Sequence, residues 1–143
     1  MEPLRVLFLC TANSARSQMA EALMRLLSHG RVDVYSAGTH PAEEVHPAAR
    51  DALSTRFGVD PSGLRPKAID EFDGQTFDYV ITVCDRASES CPVFPGAPER
   101  IHWSFEDPAG VTDPQARQRA FETVAQGLAA RIRIWLALHV DAD

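Results

Sequence analysis

The sequence predicts a single α/β domain over residues 1–143, built on a four-stranded parallel sheet flanked by helices. Short unbroken apolar runs alternate with longer stretches of helical periodicity, the pattern of strands buried on both faces and joined by helical crossovers. The chain has 143 residues, the size of one domain, and its 45% apolar and 24% charged content is that of a folded globular chain. At this length a core holds without disulfide or metal staples. No repeat, low-complexity tract or linker divides the chain.

The elements follow in order. Residues 6–9 (VLFL) read as the first buried strand. Residues 16–27 then carry helical spacing, with Met19, Leu23, Leu26 and Leu27 on one face. Residues 32–35 form the second strand, closed by Ser36-Ala37-Gly38, and residues 46–57 a helix with Gly58 past its end. Residues 79–83 (YVITV) are the third strand and residues 100–103 the fourth. Asp113-Pro114 supplies an N-cap and an N1 proline. The helix it opens has the stripe Phe121, Val124, Leu128, Ile132 and Trp135. Trp103 and Trp135 are expected in the core. Open parallel sheets bind ligands at the carboxyl ends of their strands. Cys10, Cys84 and residues 105–107 each follow a strand, so all three should share one sheet edge.

The formal charge of −6 argues against a nucleic-acid surface. An anionic ligand therefore needs a local positive site, made by backbone dipoles and one or two arginines. The first apolar run is far too short to cross a membrane, and no leader opens the chain. The expected compartment is the cytoplasm, where three cysteines rest as thiols. Three cannot form a fully paired framework. His29, His40, His46, His102 and His139 have no metal-like spacing, so no metal centre is expected.

Cys10-Thr11-Ala12-Asn13-Ser14-Ala15-Arg16-Ser17 places a cysteine, five small or polar residues and an arginine between a strand and a helix. Such a loop can curl so that its amides point inward at a helix N-terminus, forming an oxyanion cradle. Arg16 can fork two hydrogen bonds to a tetrahedral anion. The same dipole and Arg16 favour the thiolate of Cys10. Thr11 and Ser17 bring hydroxyls near it, although helix-start capping accounts for them equally well. A buried strand-end cysteine beside an ordinary arginine is the plainer alternative.

The stretch CTANSARSQMAEAL, followed by YSAG, resembles the arsenate reductases related to low-molecular-weight tyrosine phosphatases. The resemblance runs from Val6 through Asp107-Pro108, and the last helix is compatible with it. It implies a low-molecular-weight phosphatase-like fold with arsenate bound in the loop from Thr11 to Ser17. Asp107 matches the family's general acid, with Glu106 its local competitor. Cys84 and Cys91 match the spacing of the thioredoxin-coupled members, which phosphatases generally lack. By that analogy Cys10 attacks arsenic, Cys84 attacks Cys10 as arsenite leaves, and Cys91 carries the disulfide outward to thioredoxin. On an intact helix Cys84 and Cys91 would stand roughly 10 Å apart. A disulfide needs Cα atoms about 4.4–6.8 Å apart, so a helix between them must unwind. No tightly bound cofactor is implied.

Some members hold potassium beside the loop, at positions matching Asn13, Glu21 and Ser36. Where they carry an aspartate this chain has Lys67, its sole lysine against 13 arginines, which argues against a potassium requirement. The Lys67 ammonium can take the cation's place beside Glu21; a solvated surface charge is the alternative. Ala15 stands where some members have another cysteine, and the relay does not need one. A tyrosine phosphatase would usually have tyrosine after its Asp-Pro, whereas Ala109-Gly110 follows here. A reductase using a small thiol such as mycothiol leaves the Cys84/Cys91 pair redundant. A non-catalytic oxyanion or arsenite sensor would not need Asp107 as an acid.

Overall fold

The computed structural model describes residues 3–85, 94 and 99–140. Its sheet contains β1 (Leu4–Cys10), β2 (Val32–Gly38), β3 (Tyr79–Thr82) and β4 (Glu99–His102), in the order β2-β1-β3-β4 and parallel throughout. The helices are α1 (Arg16–Ser28), α2 (Pro47–Phe57) and α3 (Pro114–His139). The expected α/β class, strand number and parallel pairing are all observed.

β1 is a central strand, and Val6, Phe8, Leu7 and Leu9 are all fully buried. Alternation sends them to opposite faces. Val6 and Phe8 join α1, α2 and α3 in the larger core, with Trp103 and Trp135. Leu7 and Leu9 face a smaller core of Phe72, Phe77, Val80 and Phe94. There Phe77 meets Phe72 and Phe94 edge-on, at ring-centroid separations of 5.8 and 5.5 Å. Each fully buried large side chain contributes about 1.5–3 kcal/mol of burial free energy. β1 is thereby a firm base for whatever follows Cys10.

Three expectations are corrected. Ser36-Ala37-Gly38 does not close β2; these residues continue it, paired with Phe8, Leu9 and Cys10. Their small side chains look like a turn in sequence but fit under the loop after β1. The α1 stripe is rotated: Met19, Leu23 and Met24 are fully buried, while Leu26 is 41% exposed. β4 ends at His102, one residue early, and Trp103 turns into the core against Phe8. In α3 the expected stripe is buried at Phe121, Leu128, Ile132 and Trp135, and Val124 is partly buried. Asp113 caps α3 by accepting from the Ala116 N–H at 2.8 Å, as its sequence predicts.

Candidate active site

The loop between β1 and α1 is held by its carbonyls. Thr11, Ala12 and Ser14 carbonyl oxygens accept from the backbone N–H groups of His40, Ala42 and His46 at 2.9, 2.9 and 2.8 Å. The Asn13 carbonyl accepts from Gln18 Nε2 at 3.1 Å, and that of Ala15 from the Met19 N–H at 2.9 Å. All five oxygens are thus engaged by the surrounding chain and helix. A peptide whose oxygen is fixed outward presents its N–H inward, and the Asn13 N–H points at Cys10 Sγ from 3.2 Å. The positive φ of Asn13, 49°, is the left-handed turn that closes the curl. Beneath it, a Cβ on Gly38 would stand 2.4 Å from the Thr11 carbonyl oxygen, so only glycine fits.

Cys10 Sγ lies 2.8 Å from Ser17 Oγ. Ser17 Oγ accepts from Asn13 Nδ2 at 2.7 Å, and its hydroxyl can turn its own proton toward the sulfur. The other Asn13 Nδ2 hydrogen goes to Ser36 Oγ at 3.0 Å, and Ser36 donates to Glu21 Oε1 at 2.7 Å. Asn13 Oδ1 accepts from the Lys67 N–H at 2.8 Å and Gln18 Nε2 at 2.9 Å. This fixes the sense of each donor from the buried carboxylate as far as Ser17 Oγ.

Lys67 is drawn into that network. Its Nζ lies 3.4 Å from Glu21 Oε1 and 3.5 Å from Ser36 Oγ, and it donates to the Arg65 carbonyl at 2.9 Å. The side chains of Lys67 and Glu21 are 12% and 7% exposed, unlike a solvated surface charge. Burial pushes the Lys67 ammonium below the ordinary lysine range, and the Glu21 carboxylate opposes this. Arg25 also pairs with Glu21, at 3.0 Å.

Above the loop is a cavity of about 230 Å³ lined by Cys10, Thr11, Ala12, Ser14, Ala15, Arg16, Asp107 and Ala109. Asn13 and Ser17, expected to bind substrate, are fully buried behind it and hold the loop from below. Asp107 starts a short 3-10 turn: its Oδ1 accepts from the Ala109 N–H at 3.0 Å, and its Oδ2 lies 4.0 Å from Arg16 Nη2. Glu106 is exposed and does not line the cavity. Cys84 is fully buried at the same sheet edge. The Val83 N–H donates to the Leu9 carbonyl at 3.0 Å, so Cys84 stands one residue beyond the register partner of Cys10. Cys91, and the helix expected before it, lie outside the described residues. Among the described residues, no three of His, Cys, Asp or Glu converge as metal ligands.

Sequence reasoning assigned no role to Gln18, Gly38, His46 or Phe105. Gln18 braces Asn13 from α1, His46 ties down Ser14 through its main chain, and the Phe105 carbonyl accepts from Arg16 Nη1 at 2.9 Å. Gln18 and Gly38 lie within the CTANSARSQMAEAL and YSAG stretches, and Phe105 within the segment expected at the sheet edge, but nothing local marks their roles.

Residues 5–143 match the family described as low molecular weight phosphotyrosine protein phosphatase. An arsenate reductase of Halalkalibacterium halodurans is 39% identical over 129 residues, covering 90% of this chain and 91% of that protein. Among solved structures, an arsenate reductase in its oxidized state matches with a TM-score of 0.77 at 30% identity, covering 96% of this chain and 98% of that one. A thioredoxin-dependent arsenate reductase of Corynebacterium glutamicum matches 97% of this chain with a TM-score of 0.69 at 32% identity; the match spans 63% of that protein's length. The chain belongs to the low molecular weight phosphotyrosine protein phosphatase family and, within it, to the arsenate reductases.

Proposed function

We propose that this enzyme reduces arsenate to arsenite through Cys10, Cys84 and Cys91, with thioredoxin as electron donor, in the cytoplasm. The observation that carries the reading is the second buried thiol, Cys84, set one residue past the register partner of Cys10. Phosphate ester hydrolysis has no use for it; a two-electron reduction does.

The inward amides and Arg16 hold the oxyanion. Cys10 thiolate attacks arsenic, and Asp107 gives its proton to the departing oxygen, which leaves as water. Cys84 thiolate then attacks Cys10 Sγ. The S–As bond breaks with its electron pair on arsenic, releasing arsenite and leaving a Cys10–Cys84 disulfide. Cys91 attacks Cys84, returning Cys10 as a thiolate, and a thioredoxin dithiol reduces the Cys84–Cys91 disulfide. Ala12 and Ala109 give the cavity no aromatic wall, which suits a small inorganic anion better than an aryl phosphate. Lys67 serves as the internal cation beside Glu21 in place of potassium.

The test is arsenate-dependent NADPH consumption with thioredoxin and its reductase. Wild-type enzyme should turn over repeatedly, and Cys10→Ser should lose both this and any hydrolysis of a small aryl phosphate. Substantial turnover by Cys10→Ser sinks the mechanism. Reduction that proceeds only with a small thiol removes thioredoxin from it.

A further inference from the structure

Arg16 Nη1 donates to the Phe105 carbonyl at 2.9 Å, and Asp107, two residues on, places Oδ2 4.0 Å from Arg16 Nη2. The segment after β4 therefore holds the guanidinium from above. Phe105 is itself held by its ring, partly buried against the main core. The ring lies over Gly127, inside the 26-residue α3. A Cβ at position 127 would stand 3.1 Å from Phe105 Cε1 and 4.0 Å from Cζ, with no other group of the described residues that close. Glycine inside a helix is unfavourable relative to alanine, and Gly127 is not among the positive-φ residues that require it. The room it leaves for the ring is the local reason for its presence.

We propose that Phe105 is a positioning residue for oxyanion capture, its ring seated on Gly127 and its carbonyl aiming Arg16 into the loop. Fixing Nη1 of a planar guanidinium sets the plane and direction of the whole group before the anion arrives, which removes an ordering cost from binding. The proposal rests on reading Cys10 to Arg16 as the oxyanion cradle.

The experiment is calorimetric titration of the reduced enzyme with inorganic phosphate, with arsenate KM measured in parallel. Wild type is compared with Phe105→Ala, Gly127→Ala, the double variant and Arg16→Ala. Partial unfolding lowers the stoichiometry and leaves Kd in place, so Kd separates aim from folding. Phe105→Ala should weaken phosphate binding roughly tenfold, and Gly127→Ala roughly threefold, since small misplacements of a binding group are costly. Arsenate KM should rise in step. Once the ring is gone, Gly127→Ala should weaken binding no further. The proposal is overturned if Phe105→Ala binds phosphate as wild type does, or if Gly127→Ala acts equally with and without the ring. Wild-type affinity in Arg16→Ala would instead overturn the cradle reading beneath it.

Discussion

Replacing Lys67 by methionine removes a buried charge and keeps most of the side-chain stem. The ammonium stands 3.4 Å from Glu21 Oε1. At an effective dielectric constant near 20, that separation corresponds to ~5 kcal/mol of attraction. Burial of both ions offsets part of this, and it is burial that pushes the Lys67 ammonium below the usual lysine range. Removing one partner of a buried pair generally costs about 3–5 kcal/mol. Glu21 would keep Arg25 at 3.0 Å and the Ser36 hydroxyl at 2.7 Å, so the expected loss is smaller, about 2–3 kcal/mol. For a domain of this size, that lowers the melting temperature by roughly 10 °C. Melting and arsenate turnover should be measured in potassium and in sodium at equal ionic strength. Wild type should be indifferent to the exchange, because its cation is built in. Lys67→Asp should melt higher and turn over faster in potassium than in sodium. A wild-type enzyme strongly activated by potassium, or a Lys67→Met variant with unchanged melting, refutes the reasoning.

Cys84→Ser and Cys91→Ser should each stop multiple turnovers with thioredoxin while sparing slow hydrolysis of a small aryl phosphate; equal loss of both activities would make the residue structural. Asp107→Asn should lower arsenate kcat by about a hundredfold or more with little change in phosphate affinity by calorimetry. A large loss of affinity instead would assign Asp107 to holding Arg16. Gly38→Ala should cost about 1–3 kcal/mol of stability, read by urea melting, and abolish phosphate binding. Its Cβ meets the Thr11 carbonyl at 2.4 Å and the Asn13 nitrogen at 2.9 Å, and neither backbone atom can yield without opening the loop. Normal phosphate affinity in that variant would show that the loop relaxes freely.

The anion loop was legible because its information is local: a strand, seven consecutive residues and a helix start specify it together. The α3 stripe was legible for the same reason, as a periodicity within one element. What holds the loop from outside was not legible. Asn13 meets Lys67 across 54 residues and Arg16 meets Phe105 across 89, and nothing near Gln18 or Phe105 marks either as a brace. The grouping of Asn13, Glu21, Ser36 and Lys67 came from family resemblance, since no spacing in the chain brings them together. The end of β2 was misread because Ser36-Ala37-Gly38 has turn-like composition. Its small residues answer a tertiary demand, the close passage of the Thr11 backbone, which is invisible until the loop is in place. Leu26 was assigned to the core because leucine fits the period, but Met24 is buried instead.

In the proposed mechanism, the burial of two sulfurs sets the order in which electrons travel. Cys10 is 3% exposed and Cys84 fully buried, and the five carbonyls of the loop that follows Cys10 are all tied to the surrounding chain. A disulfide formed between them in place would be shielded from a protein reductant, because thiol–disulfide exchange needs the attacking thiolate to reach a sulfur along the bond. Opening the loop to admit thioredoxin would break several of those carbonyl hydrogen bonds at once and dismantle the oxyanion site. In the proposed relay a third thiol, Cys91, removes the conflict. It can draw the oxidised Cys84 away from Cys10 and leave the cradle, with Ser17 and Arg16, formed for the next anion. On this account Cys91 is required by the burial of the other two sulfurs, since cysteine chemistry alone would be complete with a pair. On the proposed mechanism, a low molecular weight phosphatase fold acquires reduction with little change to its anion loop, by adding one thiol, Cys84, just past β3 and a second, Cys91, seven residues on in the sequence.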